Sequence, residues 1–287
     1  MKIQRTFIIG DQWLYYKIYC GVKTTDTILT EIIKPLTQHL LNNHWIAEWF
    51  FIRYNDPEPH LRIRFKIVDT SNLGNIIATI KNALNNDVQN DCIWKVTVGT
   101  YKRELERYGS NTMDVVENFF YIDSEAVLNV IKLYETEEER FMYTLKSVHD
   151  ILSLCITDDL KKQSFLEIMQ RSFKKEFNVE RFTKKQLDTK YRTLQTTIRQ
   201  VLTASQNEYF EISKLLKLRY TKLKPLISTL KTHENNNTLQ VPIANLVASF
   251  IHMTINRSFS SKQRLYEMVI YDFLYRYYKS LNGRKNA

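Results

Sequence analysis

Along one short stretch, His60-Leu61-Arg62-Ile63-Arg64-Phe65-Lys66-Ile67, polar and apolar side chains alternate without a break. A strand points its side chains to opposite faces in turn, so Leu61, Ile63, Phe65 and Ile67 share one face and His60, Arg62, Arg64 and Lys66 share the other. Two arginines two residues apart on a stiff strand form a fixed pair of planar forks that suits a carboxylate or a phosphate. The same cations on an edge hairpin would also serve simply to keep that edge soluble and unpaired. A second pattern lies near the C-terminus, where Asn245, Ser249, His252 and Asn256 fall at helical spacing. They form one polar stripe on a helix otherwise made of Leu246, Val247, Phe250, Ile251 and Met253, and such a stripe faces either solvent or a wet internal cleft. Arginines that hold an anion, together with a histidine on a polar stripe, suit a reaction in which an anion is positioned and a proton is moved.

These residues need elements to carry them. The stretch Ala47 to Lys66 reads as a hairpin with Pro57 and Pro59 in its turn, and Gln4 to Ile9 and Trp13 to Cys20 read as two earlier strands around a Gly10-Asp11 turn. Thr24 to Asn43 changes period to that of a helix, with Pro35 marking a kink or a boundary. A helix over Leu73 to Asn85 and a strand over Ile93 to Val98 follow, and Thr100 to Ser110 is a short helix or the exit of that strand, stopped by Gly109. The expected fold class is α+β: a largely antiparallel sheet in the N-terminal part, covered by helices, and then a helix-rich C-terminal part. In that second part the spacing predicts helices over Met113 to Leu133, Glu137 to Asp158, Leu160 to Phe177, Lys184 to Gln206, Glu208 to Leu230, from Pro242 onward, and Lys262 to Leu281. The run Glu135 to Arg140 reads as a solvated helix start, and Lys231 to Thr238 as the clearest loop, suited to mobility rather than chemistry. The tyrosines and phenylalanines of the last helix read as a packing face.

Composition narrows the function classes. Hydrophobic residues make up 44% of the 287 positions and there are only 6 Gly and 5 Pro, so the chain can fill a core and lacks long linkers; Gly283 to Ala287 alone reads as a tail. A formal charge of +10 favours anionic partners, but the basic residues are dispersed and no nucleic-acid stripe stands out. Cys20, Cys92 and Cys155 show no metal-ligand spacing and read as reduced core thiols, and no apolar run is long enough for a signal peptide or a membrane span, so a soluble, cytoplasmic protein is expected. His39, His44, His149 and His233 have no evident chemical partner. There is no P-loop, dinucleotide fingerprint, HExxH or GxSxG, and no metal or cofactor is expected.

Three segments carry a family likeness: FFIRYNDPEPHLRIRFK, YKRELERYGS, and SFIHMTINR followed by YDFLYRYYKS. In this order they resemble the C-terminal, small domain of class I lantibiotic dehydratases, also found alone as thiopeptide-type bacteriocin biosynthesis proteins. The likeness covers essentially the whole chain and implies one functional unit over residues 1–287. It implies that a separate, larger component transfers glutamate from glutamyl-tRNA to serine and threonine of a ribosomally made precursor peptide. The small domain then expels the glutamate by β-elimination to give dehydroalanine or dehydrobutyrine. A cyclase and a second copy of the chain stand as further partners. By similarity, Arg62, Arg64 and Arg107 would bind the glutamyl adduct or a developing oxyanion, and His252 would transfer the proton. Arg53, His60, Asn256 and Arg257 would shape the pocket or brace the helix. Two departures are visible: Ser110 stands where the family often has a second glycine, and Thr254 where it often has a second histidine. Thr254 lies off the polar stripe, so His252 keeps the assignment. Two other readings compete: a pyridine-forming cycloaddition enzyme of thiopeptide assembly, which shares the fold but needs no glutamate-binding arginines, and a non-catalytic scaffold that docks precursor peptide or tRNA.

Overall fold

A computed structural model of the chain describes residues 3–134, 136–203 and 210–285. The N-terminal part runs β1 (Thr6–Phe7), β2 (Trp13–Cys20), α1 (Thr25–Thr27), α2 (Lys34–Asn42), β3 (Ile46–Tyr54), β4 (His60–Ile67), α3 (Leu73–Gln89), β5 (Ile93–Gly99), β6 (Tyr101–Lys102) and α4 (Leu105–Tyr108). Seven helices follow: α5 (Met113–Leu133), α6 (Glu137–Cys155), α7 (Asp159–Glu176), α8 (Arg181–Thr203), α9 (Phe210–Asn235), α10 (Ile243–Ser258) and α11 (Gln263–Lys285). The fold class is α+β, as the periodicities predict. Between α1 and α2 the chain makes a π-helical segment, Ile28–Ile33. This wider turn falls immediately before Pro35, which has no N–H to give and whose ring crowds the carbonyl four residues back.

The main sheet is antiparallel in the order β3-β4-β2-β5, and β1 pairs with β6 in a separate two-stranded ribbon. β4 is therefore an interior strand, flanked by β3 and β2. Its cations are not a solubility device on an edge. One sheet face, carrying Leu61, Ile63, Phe65 and Ile67, packs with Ile28, Ile33, Leu40, Ile76 and Ile80 under the N-terminal helices. The opposite face is covered over much of its area as well. Trp13, Tyr15 and Phe50 belong to the same buried cluster as Phe119 and Phe120 of α5 and Phe250 and Ile251 of α10. Within the row of cations, His60 and Arg64 are buried and Arg62 and Lys66 only half-exposed.

Four further expectations need correction. α9 runs through Asn235, so most of Lys231 to Thr238 is helix; Leu223, Ile227 and Leu230 keep one buried stripe going, and the polar residues occupy the outer side of its last turn. Arg140 is buried, donating to the Tyr134 carbonyl at 2.8 Å and pairing with Asp26, so the run before it is not wholly solvated. Cys92 is exposed, unlike Cys20 and Cys155. Gly283 continues α11 rather than opening a tail. Glu135, the expected helix ends Gln206 and Glu208, and Asn286 and Ala287 lie outside the described residues. Among the described residues no helix is long and apolar enough to cross a membrane.

Candidate functional site

Sheet register builds the centre of the site. Arg64 of β4 lies directly opposite Tyr15 of β2 on one side and Phe50 of β3 on the other. Tyr101, at the start of β6, closes a third side, so the guanidinium carbon sits 4.5, 5.1 and 4.9 Å from the three ring centroids. Tyr101 is itself held by a 2.8 Å hydrogen bond to Glu117, which Arg103 also grips at 2.8 and 2.5 Å. Arg64 is only 8% exposed, yet its Nε and Nη1 have no hydrogen-bond partner. Burial pulls this guanidinium below the usual arginine range, with Tyr101 and Tyr15 offsetting part of the effect. Facing aromatic rings return about 0.5–2 kcal/mol each at most, whereas leaving a buried ion unpaired costs several. Glu104 acts on the guanidinium from a distance, and Nε and Nη1 stay unpaired.

The space beside it is a cavity of about 50 Å³, lined by Arg64, Tyr101, Glu104, Arg107, Tyr108 and Met253 among others. One water needs roughly 10–15 Å³, so the cavity admits a small polar group rather than a cofactor. Arg107 reaches it from the last turn of α4, which ends because Gly109 takes φ +78°, where a Cβ would meet the Thr112 hydroxyl at 2.7 Å. Its Nε donates to Ser249 Oγ at 3.1 Å, and Glu104 lies 3.6 Å away. Within the polar stripe of α10, Ser249 is the contact with Arg107.

Arg62 and His252 lie outside the cavity lining. Arg62 sits over the Tyr54 ring at 3.4 Å and donates its Nε to His60 Nε2 at 3.0 Å, while His60 Nδ1 donates to the Glu58 carbonyl at 2.7 Å. Burial holds His60 below the usual imidazole range, opposed by the Glu58 carbonyl and helped by Arg62 and Lys17, which suits an acceptor. His252 follows Ser249 by one turn of α10; its side chain is 30% exposed, and its Nδ1 lies 2.8 Å from Glu267 Oε2 of α11.

The remaining candidates tie elements together. Arg53 donates to Thr25, Asp26 and the Arg257 carbonyl at 2.7, 2.6 and 3.0 Å, and its backbone exchanges two 3.0 Å hydrogen bonds with the Asn256 amide. Arg257 donates to the Phe51 carbonyl at 2.9 Å and to Asp123 at 3.0 Å, leaving only Nη2 without a partner. Thr254 is buried and accepts from Arg219 at 3.3 Å, and Ser110 is fixed by its N–H and hydroxyl to Gln240 at 2.6 and 2.8 Å. Sequence reasoning missed Tyr15, Tyr54, Tyr101, Ser249 as an arginine ligand, and Glu267. Strand alternation in Trp13 to Cys20 could have placed Tyr15 opposite the arginines; Glu267, one of two acids in a mostly apolar stretch, was the only cue to the His252 partner.

The class these features define is an α+β domain with a cationic, aromatic-walled cleft between the sheet and the helices. The chain belongs to the lantibiotic biosynthesis dehydratase C-terminal family, whose model matches residues 13–278. Over 284 residues, 95% of this chain, it is 22% identical to the subtilin biosynthesis protein SpaB of Bacillus subtilis, of which that covers 26%. Over 125 residues, 43% of this chain and 12% of the relative, it is 29% identical to the nisin biosynthesis protein NisB of Lactococcus lactis subsp. lactis. The chain thus spans about a quarter or less of the curated relatives it matches. Its fold is shared with MibB of Microbispora sp. 107891, a tRNA dependent lantibiotic dehydratase (TM-score 0.77, 20% identity, 96% of this chain and 29% of that one). It is also shared with TbtD, a pyridine synthase from thiomuracin biosynthesis (TM-score 0.65, 10% identity, 94% and 99%).

Proposed function

We propose that this chain performs glutamate elimination: it expels glutamate from glutamylated serine or threonine of a ribosomally made precursor peptide, leaving dehydroalanine or dehydrobutyrine. A separate component using glutamyl-tRNA supplies the glutamylated peptide. In the step, a base takes the Cα proton, the electron pair forms the Cα–Cβ double bond, the Cβ–O bond breaks, and glutamate leaves as a carboxylate. Negative charge builds first on the peptide carbonyl as an enolate and then on the leaving group, so the site must present cations at both places.

The observation that carries this reading is Arg64, a buried cation whose Nε and Nη1 have no hydrogen-bond partner, sharing a small cavity with Arg107. In the proposal these two stabilise the developing charge and the departing carboxylate, and Arg62 extends the cationic row along β4, held in place by His60. His252 transfers the proton. Arg53, Asn256 and Arg257 lock α10 to β3 and so fix His252 and Ser249 against the sheet. An enzyme that only joins two dehydroalanines handles no leaving carboxylate, so the paired guanidinia favour elimination over pyridine formation.

The test is mass spectrometry of a peptide carrying one glutamyl-serine ester, with the precursor's leader and the glutamylating partner supplied. Loss of glutamate together with the seryl oxygen by the wild type, but not by Arg107→Ala or His252→Ala, is expected. An adduct that persists, in the presence of a peptide with two dehydroalanines that is cyclised, would replace this reading by pyridine formation. Modification that survives both substitutions would make the chain a scaffold.

A further inference from the structure

His252 has two ring nitrogens in very different surroundings. Nδ1 lies 2.8 Å from the carboxylate of Glu267, which is 2% exposed, while Nε2 has no protein partner among the described residues. A carboxylate can only accept, so Nδ1 carries a hydrogen in both charge states of the ring, and the proton that comes and goes is on Nε2. Glu267 is shared with two neighbours on its own helix, Tyr271 and Arg264. Its one other ion-pair partner is Arg264, at 3.2 Å and three residues back on α11; Arg264 is 47% exposed and chiefly grips Glu176 of α7 at 2.5 Å.

We infer that Glu267 is the positioning residue for proton transfer by His252: it fixes the tautomer and aims Nε2 away from α11. This deepens the elimination reading and rests on it for the step served, although the pairing itself is testable without turnover. The arrangement makes physical sense of a half-exposed imidazole on a helix. Without an anchor the ring would sample rotamers and both tautomers; with a buried anion at hydrogen-bond distance it has one orientation and one working nitrogen.

Other charges around the pair set the background against which Glu267 acts. From α11, Tyr271 faces the same carboxylate, and burial followed by Glu267 raises its hydroxyl well above the usual phenol range, so it stays neutral. From α4, Arg107 is held at Ser249, one turn along α10. From β3, Arg53 is held at Asn256, one turn the other way. On α5, Asp123 is committed to Arg257 and Arg219, and on α6, Glu137 to the Tyr266 hydroxyl. Glu267 is thus the only carboxylate within hydrogen-bond distance of His252 among the described residues.

The experiment is nuclear magnetic resonance of the full chain with ¹⁵N-labelled histidine, the His252 signals being assigned by their absence in His252→Gln. In the wild type, the protonated nitrogen of the neutral ring is expected to be Nδ1. Glu267→Gln keeps the shape but offers an amide that can donate as well as accept, and is expected to let the Nε2-protonated tautomer appear beside it. Arg264→Met, at a half-exposed position, leaves the carboxylate in place and is expected to leave the tautomer as it is. In turnover, Glu267→Gln is expected to lower kcat about ten-fold with KM unchanged, and Arg264→Met to change neither. A wild-type neutral ring protonated at Nε2, or a tautomer that Glu267→Gln does not change, would overturn the inference; should Glu267→Gln fail to fold, the wild-type tautomer decides alone. If the tautomers are as expected while no variant and no wild type eliminates glutamate, the pairing stands and the elimination reading falls.

Discussion

Two sets of buried arginines meet across β3, and they differ in one respect. Arg53, Arg219 and Arg257 are tied to carboxylates and backbone carbonyls: Asp123 alone, fully buried, receives Arg219 at 2.6 and 2.9 Å and Arg257 at 3.0 Å. Arg64, one strand away, is nearly as buried and has rings where those have oxygens. Burial and residue type do not separate a brace from a binding group; the state of the donors does. The fold ties down Arg53, Arg219 and all but one donor of Arg257, and leaves two donors of Arg64 unpaired beside a cavity.

The comparison is broken most severely by removing what the braces share. Asp123→Ala leaves Arg219 and Arg257 as uncompensated buried cations, and a loss of about 3–5 kcal/mol in unfolding free energy is expected, read from the urea midpoint. Arg64→Met is expected to do the reverse. Elimination falls about 100- to 1,000-fold, the effect of losing one donor to a developing oxyanion. Stability is unchanged or rises by roughly 1–4 kcal/mol, because an unpaired buried charge is replaced by a side chain that packs. A destabilisation matching that of Asp123→Ala would place Arg64 with the braces.

A third substitution sharpens the brace side through pH. Burial alone would push the Asp26 carboxyl up, but Arg53 and Arg140 outweigh it and hold it below the usual range. A depressed carboxyl contributes stability that is present above its unfolded value of about 3.9 and is lost as pH falls through its folded value. Asp26→Asn should therefore cost about 1.5–3 kcal/mol at neutral pH. The gap to the wild type should stay constant down to about pH 4 and close below it. Arg64→Met, where Glu104 acts on the guanidinium only from a distance and no carboxylate is hydrogen-bonded to it, should show a gap that changes less across the same window. Denaturant midpoints at four or five pH values separate the two.

Much of this was legible in the chain itself, for reasons that also explain what was not. Strand alternation in His60 to Ile67 gave both faces correctly, and helical spacing in α5, Met113–Leu133, gave its limits to the residue. Each pattern is local and repeats with a fixed period. What lay on the second sheet face did not follow, because alternation says which residues share a face but not whether helices cover it. The charged row of β4 could have been a soluble edge or the lining of a cleft, and it is roofed by α5 and α10. Arg53, Arg62, Arg64 and Arg257 were chemically indistinguishable as letters, since the partners that divide them, Asp26, Asp123 and the bare rings of Tyr15 and Phe50, come from distant parts of the chain. Local polarity also misled at Lys231 to Asn235, where a buried stripe begun a turn earlier carried the helix on.

Arg107 belongs to neither set, and the last prediction uses that. It is 41% exposed, gives one donor to Ser249 Oγ at 3.1 Å, lies 3.6 Å from Glu104 through Nη1, and lines the cavity. If it is a binding group aimed by a single hydrogen bond, Ser249→Ala should leave the charge in place and let it wander. Turnover is then expected to fall about ten-fold, equivalent to ~1.4 kcal/mol of transition-state stabilisation, while the folding midpoint stays within the scatter of ordinary substitutions. Threonine at the same position keeps the hydroxyl and should recover most of the rate. If Arg107 is instead a brace, the loss would appear in stability and not in turnover, and threonine would restore the midpoint rather than the rate. The division between the two sets would then fall between Arg64 and everything else, with one guanidinium rather than two to meet the leaving carboxylate.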